Sequence, residues 1–365
     1  MKVRSTGGGI VGGLLLFILG ICLLWWNEGR TARQTAFLKQ AKADYVQLDS
    51  TKVVSTNENK LVALNGAMDL SNSPELVDDI FLVKAKSAKL FREVQVYQWE
   101  EECETDENDT RTCRHNKVWS SDLNDSSSFE EKGFDNPATK IYPDRTITAE
   151  NVKLGDFNVS SSLLNKLTTE TVITDLPIDS IEARGLKVSP DGSGYTNVID
   201  EANPQIGDVR IKFYKNSATD ISILAVQSGD TFKSYTNKDG SKSLMEIREG
   251  NQSGAEIIAG LVRSNNIIKW LLRLCGFLMV SLGISSLFSF LTTITSRIPL
   301  LGSVVGGVVS LVAFTVGLVI SFIVCAIAWF RFRPIISLIL IVIALVVFVL
   351  LKFVLNKKEA VETKK

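Results

Sequence analysis

Residues 10–30 read IVGGLLLFILGICLLWWNEGR, and the fate of that stretch decides the fold. Lys2 and Arg4 precede it, so a cleaved signal peptide with a basic start and an apolar middle is one interpretation. Against it, the apolar run 10–26 closes on Trp25 and Trp26 and then turns polar at Asn27, Glu28, Gly29 and Arg30, with no small-x-small cleavage site. Paired tryptophans at the end of an apolar run suit the membrane–water interface. The stretch is therefore read as a retained anchor, with residues 1–9 as a short tail and 10–26 as the first transmembrane helix.

Working outward, three further apolar runs lie near the C-terminus, at 270–295, 300–330 and 334–355, ahead of a short tail at 356–365. The last is the least ambiguous, because 335–351 carries no charge and is long enough for a hydrocarbon core of about 30 Å. Lys269, Trp270 and Arg273 introduce the second run, and their basic stems can snorkel toward headgroups. As an intramembrane charge, Arg273 would instead mark an ion path. Short turns at 296–299 and 331–334 make runs two to four a tight bundle. The expected architecture is an α-helical membrane protein with four transmembrane helices, one N-terminal and three C-terminal. A β-rich α+β extramembrane domain at 27–269 completes it. Basic residues flank both ends of the spans, so the positive-inside rule assigns no orientation. Small residues recur at i,i+4 in Gly8/Gly12, Gly9/Gly13, Ser281/Ser285/Ser289 and Gly302/Gly306/Ser310. Such rows let backbones touch, within the bundle or between protomers; plain glycine tolerance in membrane helices is the alternative.

Between the spans the pattern changes to short alternations. Residues 60–67 (KLVALNGA), 91–99 (FREVQVYQW), 207–214 (GDVRIKFY), 221–226, 231–235 and 243–248 are expected strands, with a turn at 237–240. In 91–99, Val94, Val96 and Gln98 share one face; Glu93, Gln95, Tyr97 and Trp99 share the other. Residues 31–43, 161–168 and 254–265 are the helical candidates, the last running into the second span. The acidic segment 100–131 is expected to be a solvated hairpin excursion. Trp119 is placed to pair with the aromatic face of 91–99, for packing or for binding.

Chemistry is sparse. His115 is the only histidine. It sits in the acidic excursion, where a Ser/His/Asp triad would lack a rigid base, so no catalytic residue is assigned. Cys103 and Cys113 lie ten apart, without the further ligands a zinc site needs. A disulfide there, in an oxidising compartment, competes with two free thiols. Cys22, Cys275 and Cys325 are taken as small buried residues. The pairs Asp78-Asp79 and Glu130-Glu131 are taken as solvated. Asp106, Asn108 and Thr110 echo a calcium loop, but Lys117 replaces its final glutamate. No metal or cofactor is expected. A net charge of +0 without a basic block argues against nucleic acid.

Several motifs, taken in order, resemble the transmembrane protein 43 (LUMA) family. They are Trp25-Trp26-Asn27-Glu28-Gly29-Arg30, Lys60-Leu61-Val62 with Gly66, the 92–100 stretch containing Tyr97-Gln98-Trp99-Glu100, and Asn136-Pro137. Residues 207–213, Ser264-Asn265 with Trp270, Arg273 and Gly276, and Ala328-Trp329 with Arg333-Pro334 continue the series. The cysteine pair departs from the family pattern. The resemblance implies a lumenal domain, cytosolic tails and a non-enzymatic scaffold that self-associates, meets lipid and organises other membrane proteins. It implies the endoplasmic reticulum and inner nuclear membrane in a eukaryote, and the plasma membrane in a bacterium. A subunit of an oligomeric channel or transporter is the alternative.

Overall fold

Alternation in residues 91–99 predicts a strand with one buried face, and the structure buries that face. The computed structural model describes residues 6–105, 110–178, 181–288, 301–332, 334 and 335. In it the strand Lys89–Thr105 buries Leu90, Arg92, Val94, Val96 and Gln98, with the residues between them half-exposed. This strand pairs antiparallel with Val209–Lys215 on one edge and Arg111–Ser120 on the other. Gly194–Thr196 and Lys187–Val188 extend the sheet beyond Val209–Lys215, while Thr171–Val172 and Arg145–Thr148 add short pairings. A second sheet runs in the order Thr231–Lys233, Asp220–Ser228, Leu61–Asp69, Val152–Leu154, Phe157–Val159. Glu246–Glu249 pairs with Asp220–Ser228, and Val46–Gln47 lies parallel to Leu61–Asp69.

The two sheets share one core, in which Leu64, Ile223 and Phe157 of the second meet Val94, Ile211 and Phe213 of the first. Full burial of such side chains stabilises by about 1.5–3 kcal/mol each. The acidic excursion is more ordered than its composition suggested. It is a paired ribbon in register from Val96↔Ser120 to Thr105↔Arg111, closed by a Cys103–Cys113 disulfide between directly opposed residues. Of the calcium-like positions, Asp106 and Asn108 lie outside the described residues. Tyr97 and Trp119 pair across the ribbon at 5.1 Å.

The core also holds a charge that composition had placed outside. Asp78 is buried, whereas Asp79 beside it is exposed. Arg92, at 1% exposure, donates from Nη1 to both Asp78 carboxylate oxygens at 2.8 Å and from Nε to the Pro143 carbonyl at 3.0 Å. The backbone N–H groups of Ile80 and Phe81 donate to the same carboxylate. Arg92 follows the inward parity of its strand, and the 78–81 turn brings the counter-charge to it.

Two phenols in the Arg92 sheet titrate late. Burial and then the Asp78 charge push Tyr195 up to about 12; its hydroxyl donates to the Pro177 carbonyl at 2.7 Å. Burial, then the Glu93 carboxylate it donates to at 3.1 Å, raises Tyr214 to about 12. An unfolded tyrosine ionises near pH 10. The stabilisation is therefore complete below about pH 10 and is lost as pH rises toward 12, because only the unfolded chain releases the protons. Alkaline titration should show tyrosinate absorbance rising together with loss of β-sheet circular dichroism, and Tyr195→Phe should flatten the pH slope. Ionisation of Tyr195 and Tyr214 themselves near pH 10, read from their own ring resonances with the sheet intact, would contradict this.

The helices are α1 (Thr6–Asp44), α2 (Ser161–Leu164), α3 (Gly254–Leu287) and α4 (Leu301–Phe332). Among the described residues, three segments are long and apolar enough to cross a membrane: Val11–Asp44, Gly254–Leu287 and Ser310–Phe332. The expected fourth span, apart from residues 334 and 335, lies outside the described residues. So do the turn at 296–299, the end of the second span and the tail 356–365. Residues 6–9, expected as tail, already belong to α1, which continues without a break through the predicted 31–43 helix. Likewise α3 joins the 254–265 candidate to the second span. By contrast, 161–168 keeps only the four residues of α2, because past Leu164 the Lys166 and Leu167 amides bond three residues back, to the Leu163 and Leu164 carbonyls, and the α-helical ladder ends. Cys22 and Cys275 are exposed and Cys325 half-buried, so the apolar helices do not enclose them as expected. The chain divides into two compact units, Asp44–Ile257 and the helical unit Met1–Ala43 with Ile258–Lys365.

Candidate functional site

Within the helical unit, α1 and α3 pack Leu24, Val280 and Ile284 between them, and at four glycines their backbones come into direct contact. A Cβ added at Gly13 would stand 2.7 Å from Ser286 Cβ and 3.0 Å from the Gly283 carbonyl oxygen. One at Gly20 would stand 3.0 Å from the Gly276 carbonyl oxygen, and one at Gly283 would meet the Phe17 amide at 2.7 Å. Gly13 thus opposes Gly283 and Gly20 opposes Gly276. Seven residues further on, Asn27 opposes Lys269, whose carbonyl accepts from Asn27 Nδ2 at 3.0 Å. A seven-residue period keeps one seam between two helices in contact over several turns. Gly317 of α4 approaches Ser281 of α3 just as closely.

Where this seam leaves the glycines, it becomes polar. Leu24, Asn27, Glu28 and Thr31 occupy one helical face of α1 and are all buried. Glu28 is 2% exposed, and its carboxylate accepts from Arg273 Nε at 2.6 Å and from Trp329 Nε1 at 2.7 Å, joining α1, α3 and α4 in one contact. The Arg273 guanidinium lies over Trp270 at 4.7 Å and Trp329 at 5.4 Å. Arg30 donates to Asn265 Oδ1 at 3.1 Å, and Asn265 Nδ2 reaches Thr35 Oγ1 at 3.4 Å. Gly29 leaves room for the Phe332 ring, 2.8 Å from where a Cβ would be. Trp25 and Trp26 face outward, as an interfacial pair does. Arg273 is therefore not the snorkelling cation expected from sequence. It is one half of a largely desolvated ion pair, an arrangement tolerated only when both charges are paired and hydrogen-bonded. Beside it a cavity of about 440 Å³ opens between α3 and α4, lined by Leu24, Phe277, Leu318 and Phe322 and polar only near Arg273 and Ser321.

The Tyr97-Gln98-Trp99-Glu100 motif organises the ribbon. Gln98 is fully buried, and its Oε1 accepts from the Asn124 amide at 2.8 Å. Asn136 acts toward Trp99 as a strand neighbour would: its Oδ1 accepts from the Trp99 amide at 2.7 Å, and its Nδ2 donates to the Trp99 carbonyl at 2.9 Å. Phe134 meets the Trp99 ring edge-on at 4.9 Å. Glu100 continues the ladder opposite Asn116. His115 is not in a mobile loop: it stacks on Phe134 at 3.6 Å and shares a hydrogen bond with Glu101 Oε1 at 3.0 Å.

A family model described as transmembrane protein 43 matches residues 96–334, which include the Trp99–Asn136 contact, Arg273 and Trp329. The chain belongs to the transmembrane protein 43 family. Transmembrane protein 43 of Pongo abelii is 28% identical over 364 residues, covering 94% of this chain and 90% of that one. The Homo sapiens protein of that name is 28% identical with the same coverage, and the Drosophila melanogaster homolog is 27% identical over 89% of each chain. No solved structure matches. Membership and the apolar helices make this an integral membrane protein. The motifs that carried the resemblance are brought together in two places. Residues 27–30 meet Asn265, Arg273 and Trp329, and Gln98 with Trp99 meets Asn124 and Asn136. Of the small-residue rows, Gly12 has no described residue within 4 Å of an added Cβ, and Ser310 is exposed among the described residues. Gly8, Gly302 and Gly306 are helical, with surroundings outside the described residues. The seven-residue glycine seam escaped the sequence analysis; the matching intervals Gly13/Gly20 and Gly276/Gly283 were its visible signal.

Proposed function

We propose that the chain is a multi-pass membrane scaffold, without enzymatic activity, whose spans associate with a second copy and whose β-rich domain engages other membrane proteins. The observation that carries this is the two-sidedness of α1. Gly13 and Gly20 are filled from within the chain, whereas a side chain at Gly12 would meet none of the described residues within 4 Å. A small-residue face left open in a membrane helix is suited to backbone contact with another helix. The cellular setting follows the resemblance: the endoplasmic reticulum and inner nuclear membrane in a eukaryote, the plasma membrane in a bacterium. The domain then stands outside the cytosol, where the Cys103–Cys113 bond is chemically at home. The channel alternative draws on Arg273, but pairing with Glu28 makes that charge a cross-link between helices.

Two leucine substitutions one residue apart test the reading. Gly12→Leu should shift detergent-solubilised protein from oligomer to monomer at unchanged thermal stability, measured by light scattering and unfolding. Gly13→Leu should instead destabilise the monomer by about 1–3 kcal/mol through overpacking. An oligomeric state indifferent to Gly12→Leu would remove this face as the basis of self-association.

A further inference from the structure

The ribbon gathers the four side chains in the domain best suited to holding a soft divalent cation. Glu101 opposes His115, and two residues along Cys103 opposes Cys113, so all four lie on one face of the ladder. One carboxylate oxygen of Glu101 and both sulfurs lie within 4.8 Å of one another. His115 Nε2 stands 3.0 Å from Glu101 Oε1. Tetrahedral zinc, with bonds of about 2.0–2.3 Å, needs ligand atoms about 3.3–3.8 Å apart, so the Glu101 and cysteine side chains must rotate and His115, outside the 4.8 Å group, must swing in from its stack on Phe134.

We infer that this patch is a redox-gated zinc site: a disulfide when oxidised, and a Cys103, Cys113, Glu101, His115 tetrahedron when reduced. Composition had ruled zinc out for want of ligands beyond two cysteines, and the strand register supplies the other two. The surroundings are those of a metal site. The Glu130 amide donates to Glu101 Oε1 at 2.9 Å and to Oε2 at 3.1 Å, holding that carboxylate in place. In the oxidised form His115 Nε2–H donates to Glu101 Oε1 at 3.0 Å, so binding a cation at Nε2 moves that proton to Nδ1, the nitrogen 3.9 Å from the Glu131 carboxylate. The step balances with a dithiol as reductant. The dithiol gives two electrons and two protons to the Cys103–Cys113 bond and becomes a disulfide itself. Zinc then displaces both thiol protons to solvent as two Zn–S bonds form, with Glu101 and His115 completing the set.

The test uses full-length protein in detergent, without a polyhistidine tag, and Co²⁺ as the probe. After anaerobic reduction with a dithiol and desalting, one equivalent of Co²⁺ should bind with thiolate charge-transfer and tetrahedral ligand-field bands. The oxidised protein should take up none. Because His115 is the only histidine, its ring proton resonances should shift paramagnetically in the unmutated protein. Glu101→Gln should weaken Co²⁺ binding at least about tenfold. Absence of the bands after reduction, or bands with His115 resonances unmoved, would overturn the site.

Discussion

Glu28→Ala is expected to cost the helical unit about 3–5 kcal/mol and to remove most folded protein from detergent extracts. The reason is what remains behind. Arg273, 15% exposed, keeps its charge between two indole faces, and Trp329 keeps an indole N–H with no acceptor. Losing one partner of a buried pair leaves the other desolvated and uncompensated, which costs more than the pair itself ever contributed. The double variant Glu28→Gln with Arg273→Met should recover much of the loss, since the amide still accepts from Trp329 and no charge remains. Thermal unfolding in detergent, followed by tryptophan fluorescence, checks both variants. If Glu28→Ala unfolds at the wild-type temperature, the three-helix contact contributes nothing to stability.

Arg92→Met should have a comparable effect in the β-rich domain, about 3–5 kcal/mol. Methionine fills much of the volume beside Phe81, but the buried Asp78 carboxyl loses its counter-charge, and the Pro143 carbonyl loses its donor. Adding Asp78→Asn removes the stranded charge and keeps an acceptor for the Ile80 and Phe81 amides, so it should restore part of the stability. Denaturant unfolding monitored by β-sheet circular dichroism separates the cases. Equal stability of Arg92→Met and wild type would mean that water reaches Asp78.

Local pattern made most of the domain legible. The 91–99 alternation announced both its parity and its aromatic pairing with Trp119, because period two is written into consecutive residues. The same parity pointed Arg92 inward, yet its charge argued the other way, and only the 78–81 turn, fourteen residues distant, resolves the conflict. His115 was misjudged for a related reason: its setting depends on Phe134 and Glu101, which composition shows only as loop and acid. The polar junction was legible as a motif but not as a contact. Residues 27–30 marked the end of an apolar run, and nothing local says that Glu28 is answered by Arg273 and Trp329. Hydropathy counts both charges as costs, so the ion pair that cancels them is invisible to it.

The distance between those partners has a consequence for how the protein is made. Glu28 and Arg273 are 245 residues apart, with the whole β-rich domain between them. At about 5–20 residues per second, a ribosome needs roughly 12–50 s to pass from one to the other. For that interval α1 is already in the bilayer, presenting a bare carboxylate and the glycines of its unfilled seam. The nascent chain must be sheltered by the insertion machinery, or hold Glu28 at the headgroups, until α3 emerges. A substitution in α3 or α4 would then be felt first as failed biogenesis of α1, before any mature protein exists to be unstable.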